Sequence, residues 1–161
     1  MSEPSGLLEG DSVISPAMRA AIGRRQPPVT AVVERGAIHR FCEAIGEDNP
    51  LFVDDEAAVH GPHGGIVAPP TFLRSIAPAI PPLPDGDRLP NVLDGGSAWT
   101  YGAPVRPGDR VTASVELNSL AERSGRLGPM VIATYATEYR NQHGELVATQ
   151  EQALIRTGGR P

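Results

Sequence analysis

Side chains able to do chemistry gather in one stretch of the 161-residue chain, residues 32–71, VVERGAIHRFCEAIGEDNPLFVDDEAAVHGPHGGIVAPPT. Glu47 and Asp48 are neighbouring carboxylates just past a helix end. Paired acids can split their pKa values, and the raised member suits general-base work, although adjacent acids at such a place also make an ordinary solvated turn. Asn49 can touch a ligand or lock its own turn by bonding backbone. His60 and His63 have the spacing of metal ligands, but no cysteine or third ligand lies near them in the sequence, so no metal is expected. His63 by itself can act as an acid or base from a loop. Gly64 and Gly65 permit close backbone packing, and their amides can form a nest for a phosphate or carbonyl oxygen. Farther along, Trp99 and Tyr101 read first as strand and core residues. Cys42 is the only cysteine, cannot form an internal disulfide, and falls on the apolar side of a helix, where it reads as core filler.

The elements that must hold these residues follow from pattern. Ile38, Phe41, Cys42 and Ile45 recur at three- and four-residue spacing, with Arg35, His39, Arg40 and Glu43 opposite, which predicts a helix over residues 34–45 with one apolar stripe. Gly46 is placed for a left-handed helix end and Pro50 keeps Asn49 out of the helical region, so the chain must turn hard at residues 47–49. Asp54 or Asp55 can cap a second short helix before the loop HGPHGG, and Pro69-Pro70 suits the first turn of a third, running to about Ala77 with Phe72, Leu73 and Ile76 apolar. Upstream, Ser15-Pro16 looks like a helix start with Met18, Ala21 and Ile22 on one side, stopped by Gly23; residues 29–33, VTAVV, suit a strand. Residues 78–90, PAIPPLPDGDRLP, hold five prolines and predict a stiff connector over the surface.

The remainder is a different kind of sequence. Val111, Ala113, Val115 and Leu117 alternate with Thr112, Ser114, Glu116 and Asn118, the period of a half-buried strand. SGRLGP turns the chain into MVIATYATEY, and NQHG turns it again into LVATQEQALI, while residues 91–105 add a fourth strand. A sheet of four or five strands has one face to bury, and the only long apolar-striped element available is the helix at 34–45. The fold class is therefore α+β, an antiparallel sheet wrapped around a long helix.

Length and composition set the outer limits. The chain is long enough for one core and short for two, so the expected organisation is a flexible N-terminus over residues 1–12, a single domain over 13–158 and a tail at 159–161. A net charge of -5 without basic runs points away from nucleic acid and anionic membrane surfaces, and 4% aromatic content argues against a base-stacking platform. No stretch approaches the roughly 20 apolar residues of a membrane span. The acidic N-terminal residues are unlike a signal peptide, so a cytoplasmic location is expected.

The run FCEAIGEDNPLFVDDEAA, with GGIVAPPTF and PVRPGDRV after it, resembles the MaoC-type hydratase and dehydratase family of the hotdog fold, in particular the N-terminal MaoC dehydratase class with the (3R)-hydroxyacyl-thioester dehydratase subunits. The resemblance covers roughly residues 27–158. It implies an acyl group on CoA or acyl carrier protein, held in a tunnel at a dimer interface, with water added across or removed from a 2,3 double bond by an Asp and a His. It implies no cofactor. The family motif is Gly-Asp-any-Asn-Pro-Leu-His, and here those positions read Gly46-Glu47-Asp48-Asn49-Pro50-Leu51-Phe52. Glu47 replaces the Asp, and Phe52 replaces the His; a phenyl ring cannot carry a proton. Where catalytic members have a His-Gly pair whose amide donates to the thioester oxygen, this chain has Ala68-Pro69, and proline has no N–H.

The resemblance thus implies the non-catalytic, substrate-shaping subunit of a heterodimer, with a catalytic MaoC-type partner, or a homodimer, completing the tunnel. On this reading Glu47 and Asp48 hold the catalytic positions, and Asn49, Phe52, His63, Gly64, Gly65 and Pro69 shape the substrate site. Two alternatives stay open: a hotdog acyl-CoA thioesterase activating water with Glu47 or Asp48, and a non-enzymatic acyl-binding or scaffolding protein.

Overall fold

The computed structural model describes residues 12–126 and 128–158. The expected flexible N-terminus falls outside these residues except for Ser12, as does the 159–161 tail, and Leu127 of the expected SGRLGP turn is likewise not described. Five antiparallel strands form one sheet in the order β1-β3-β4-β5-β2. They are β1 (Val29–Val32), β2 (Asn91–Tyr101), β3 (Arg110–Gly125), β4 (Gly128–Arg140) and β5 (Leu146–Thr157). The long strands follow the period-two pattern. Val111, Ala113, Val115 and Leu117 of β3 and Val131, Ala133, Tyr135 and Tyr139 of β4 all bury on the inner face.

Against that face lies α2 (Arg35–Ile45), which sinks Ile38 and Cys42 among Val111, Ala113, Tyr139, Val147 and Ala148. This is the hotdog arrangement. A fully buried isoleucine such as Ile38 contributes roughly 1.5–3 kcal/mol of transfer free energy, so a few such contacts outweigh the modest propensity of an 11-residue helix. The apolar stripe is narrower than its spacing implied. Phe41 is half-buried and Ile45 is 52% exposed, because the helix end has already run past the sheet.

A second core closes the other end of the inner face. Here α1 (Pro16–Ala20), capped by the Ser15 hydroxyl on the Met18 amide, packs Met18 and Ala21 onto Val115, Leu117 and Leu154. Ile22 points away, 47% exposed, because the helix stops at Ala20 and the next turn swings it outward. The proline-rich connector differs from expectation: Pro78, Pro81, Leu83 and Leu89 are buried, so it is a strap over this core rather than a surface tether. Prolines offer apolar rings with no N–H to satisfy, which lets an irregular segment bury without orphaned donors.

Strand β2 sits at the sheet edge, and its pairing with β5 shifts register between Asp94 and Ser97, where the Asp94 carboxylate accepts from the Gly96 amide at 2.8 Å. Beyond its end, Gly102 donates to the Val147 carbonyl, and a side chain there would strike the Leu146 carbonyl oxygen. No helix among the described residues is long and apolar enough to cross a membrane.

Candidate functional site

The site begins where α2 ends. Gly46 takes the left-handed conformation (φ 69°) that a side chain would disfavour, and the Glu47 amide closes back on the Cys42 carbonyl at 2.9 Å. The two polar side chains that follow are then occupied locally. Glu47 Oε1 accepts from the Asn49 amide at 3.0 Å, and Asn49 Oδ1 accepts from the Leu51 amide at 3.0 Å, capping a short helix, α3 (Pro50–Val53). The sequence pattern predicts only a hard turn there, although Asn followed by Pro is a good helix start signal. Asp48 is exposed. Asp54 caps α4 (Asp55–His60) through the Ala57 amide, and an Arg35–Asp55 ion pair ties α2 to it.

Helix α3 exists to place its ring. Phe52 and Leu51 wall a cavity of about 270 Å³, with His63 at its rim and Pro69, Tyr101 and Val147 around it. The size sits near the lower end of ordinary ligand sites, and the walls are predominantly aliphatic and aromatic. Of the anticipated site residues, the cavity brings together Phe52, His63 and Pro69; Glu47, Asp48, Asn49, Gly64 and Gly65 do not line it. Gly64 lies in the left-handed region and its amide is bound to the Gly61 carbonyl, which spends one arm of the imagined nest. The third anticipated helix is a 3-10 helix, Pro70–Ile76, whose Phe72 meets Phe41 edge-on at 5.5 Å beneath the cavity.

Other wall residues gave no local signal. Tyr101 and the segment 102–105 come from the end of β2, and Val147 comes from β5, more than forty residues later. Only the fold brings them to Phe52. Partial burial raises the Tyr101 phenol above its usual 10.0, so at neutral pH it is a donor on the wall. Burial, and secondarily the Glu47 charge, push the Cys42 thiol up, which leaves it protonated and inert within the core. Among the described residues no group of three His, Cys, Asp or Glu side chains gathers to hold a metal.

A sequence model of the FAS1-like, dehydratase domain region matches residues 20–150. A MaoC-like dehydratase from Rhodospirillum rubrum shares the fold, with a TM-score of 0.67 at 24% identity over 88% of this chain and 94% of that one. The chain belongs to the MaoC-type hydratase and dehydratase family. The ChsH1-ChsH2 complex from Mycobacterium tuberculosis contains a chain that superposes with a TM-score of 0.79, 24% identical, covering 90% of this chain and 91% of that one; this is a likeness of fold. A UPF0336 protein of Streptomyces griseus is 34% identical over 140 residues, 83% of this chain and 91% of that protein. The 3-oxo-4,17-pregnadiene-20-carboxyl-CoA hydratase alpha subunit of Mycobacterium tuberculosis is 31% identical over 126 residues, 69% of this chain but 38% of that protein.

Proposed function

We propose that this chain is a component of an acyl-thioester hydratase/dehydratase, and specifically its non-catalytic, substrate-shaping subunit. The observation that carries the reading is the cavity wall. At the two places where family members of the catalytic kind place proton-handling and amide-donating groups, this wall presents the Phe52 ring and the Pro69 ring. Both suit a hydrocarbon chain. The carboxylates nearest the motif support the same reading, since Glu47 is turned onto a backbone amide and Asp48 is exposed and does not line the cavity. The alpha-subunit relative and the two-component complex named above support a hotdog partner that brings the acid and base.

The partner would join along β2, whose residues are almost all exposed in the single chain, and an acyl group on CoA or carrier protein would lie across the joint. The test is hydration of crotonyl-CoA. The chain alone is expected to show no enzyme-like rate, and activity is expected when a MaoC-type chain with the intact Asp and His motif is added. A substantial rate from the chain alone that Glu47→Gln abolishes would overturn the non-catalytic role. Hydrolysis of acyl-CoA by the chain alone would move the reading to a thioesterase.

A further inference from the structure

The inner face of the sheet is apolar at both ends and polar in the middle. Two apolar clusters, one under α2 and one under the strap, are separated along the strands by the buried cross-strand pair Gln150 and Thr137, next to the row Ser97, Gln152 and Tyr135. Gln150 and Thr137 are only 4% and 6% exposed. Burying such groups costs stability unless they are bonded, and apolar residues would fit the same pattern, so the row needs a reason.

The bonds within it run one way. The Tyr139 hydroxyl, in a fully buried residue whose ionisation is pushed up to about 12 mainly by that burial, donates to Gln150 Oε1 at 3.4 Å. Gln150 Nε2 donates to Ser97 Oγ at 3.0 Å. Ser97 is exposed, and among the described residues nothing accepts its proton. A buried relay therefore ends in a solvent-exposed hydroxyl. Nearby on the same face, the Tyr135 hydroxyl is buried with no partner at all.

Stacked rings link this row to the cavity wall. Tyr101, on the cavity wall, stacks on Trp99 at 5.8 Å, and Trp99 stacks on Tyr139 at 5.6 Å, the residue that starts the relay. Ser97 lies four residues along β2 from Tyr101, about 13 Å at strand rise. The row itself carries no charged side chain, although the Arg156 and Arg74 charges reach the Tyr135 and Tyr139 phenols, and a neutral oxygen would be met there by a ready donor.

We propose that Ser97, aimed by Gln150 and Tyr139, is a specificity-determining donor that selects acyl groups bearing a carbonyl or hydroxyl oxygen some 13 Å beyond the cavity wall. The proposal rests on the acyl-thioester reading above and names its substrate class: oxygenated rather than plain hydrocarbon acyl chains.

The chain holds a single tryptophan, Trp99, which sits beside the row and reports occupancy by its emission. The experiment titrates the protein, in the assembly it purifies in, with two CoA thioesters of equal length, one saturated and one carrying a keto group near its far end. The keto thioester is expected to bind about tenfold tighter, the value of one well-made hydrogen bond. Ser97→Ala should erase that preference, Ser97→Thr should keep it, and Gln150→Met should weaken it. Equal affinities in the wild-type chain, or a preference that survives Ser97→Ala, would overturn the proposal. So would loss of assembly in Ser97→Ala with the preference intact, since the hydroxyl would then serve subunit contact. Failure of both thioesters to bind would instead remove the acyl-thioester reading beneath it.

Discussion

The sheet has two edges that are built in opposite ways. At one, β1 offers four residues, follows a Pro27-Pro28 pair, and its Thr30 hydroxyl pairs with that of Thr112 at 2.8 Å. At the other, β2 runs eleven residues, and every position but Trp99 is exposed. Short, proline-flanked edges resist further pairing, whereas long exposed ones invite it. On the proposed function the two ends of the molecule have different work: β1 finishes the sheet, and β2, next to the cavity, is the edge that a partner would complete.

Reversing that contrast by mutation tests it. The largest effect is expected on assembly. Leu93→Lys, on β2, should weaken association with a hotdog partner or second copy by about a hundredfold, close to 3 kcal/mol, whereas Val32→Lys, on β1, should leave it unchanged in analytical ultracentrifugation. The opposite outcome would move the interface to β1. Next comes Gly102→Ala, which drives a methyl into the Leu146 carbonyl and lifts the end of β2 from β5; a loss of about 1–3 kcal/mol in urea unfolding is expected, and an unchanged midpoint would show a slack edge.

Alkaline pH should act on the β2 side as well. Tyr139, stacked on Trp99, ionises at 10.0 in the unfolded chain but only at about 12 when folded. The unfolded state therefore sheds its proton first, and stability present below pH 10 should fall by roughly 1 kcal/mol per unit up to about 12, a slope that Tyr139→Phe should reduce. The smallest change is expected at β1: Thr30→Ala, losing one exposed hydroxyl pair, should cost about 0.5–1 kcal/mol.

Much of this fold can be read in the sequence because its elements are locally encoded. The spacing of Ile38 and Cys42, the stop at Gly46 and the alternation through Val111 to Leu117 each specify their element within a few residues, and together they leave a sheet curled on a helix as the economical solution. Errors arise where packing decides. Ile22 and Ile45 belong to apolar stripes yet stand in solvent because their helices outrun the surface they cover, and the strap buries prolines that composition assigns to the exterior. The cavity is the least legible part. Phe52 and Pro69 stand out only against a family motif, and Tyr101 and Val147 join them through strand pairing that no local pattern carries. The relay from Tyr139 to Ser97 spans three strands and likewise has no signature in any one of them.

The irregularity after Asp94 can be understood as arithmetic. Asp94 pairs with Leu154 and Ser97 with Gln152, so three steps along β2 match two along β5, and one residue of the Gly95-Gly96 pair is absorbed. Side chains alternate faces with each step, so an unabsorbed extra residue would turn Ser97, Trp99 and Tyr101 to the outside together. The two glycines thus act as a phase shifter. Sliding β2 by one position would strip Tyr139 of its stacking partner and Gln150 of its acceptor at once, which fixes the register of the very edge that is left open to a partner.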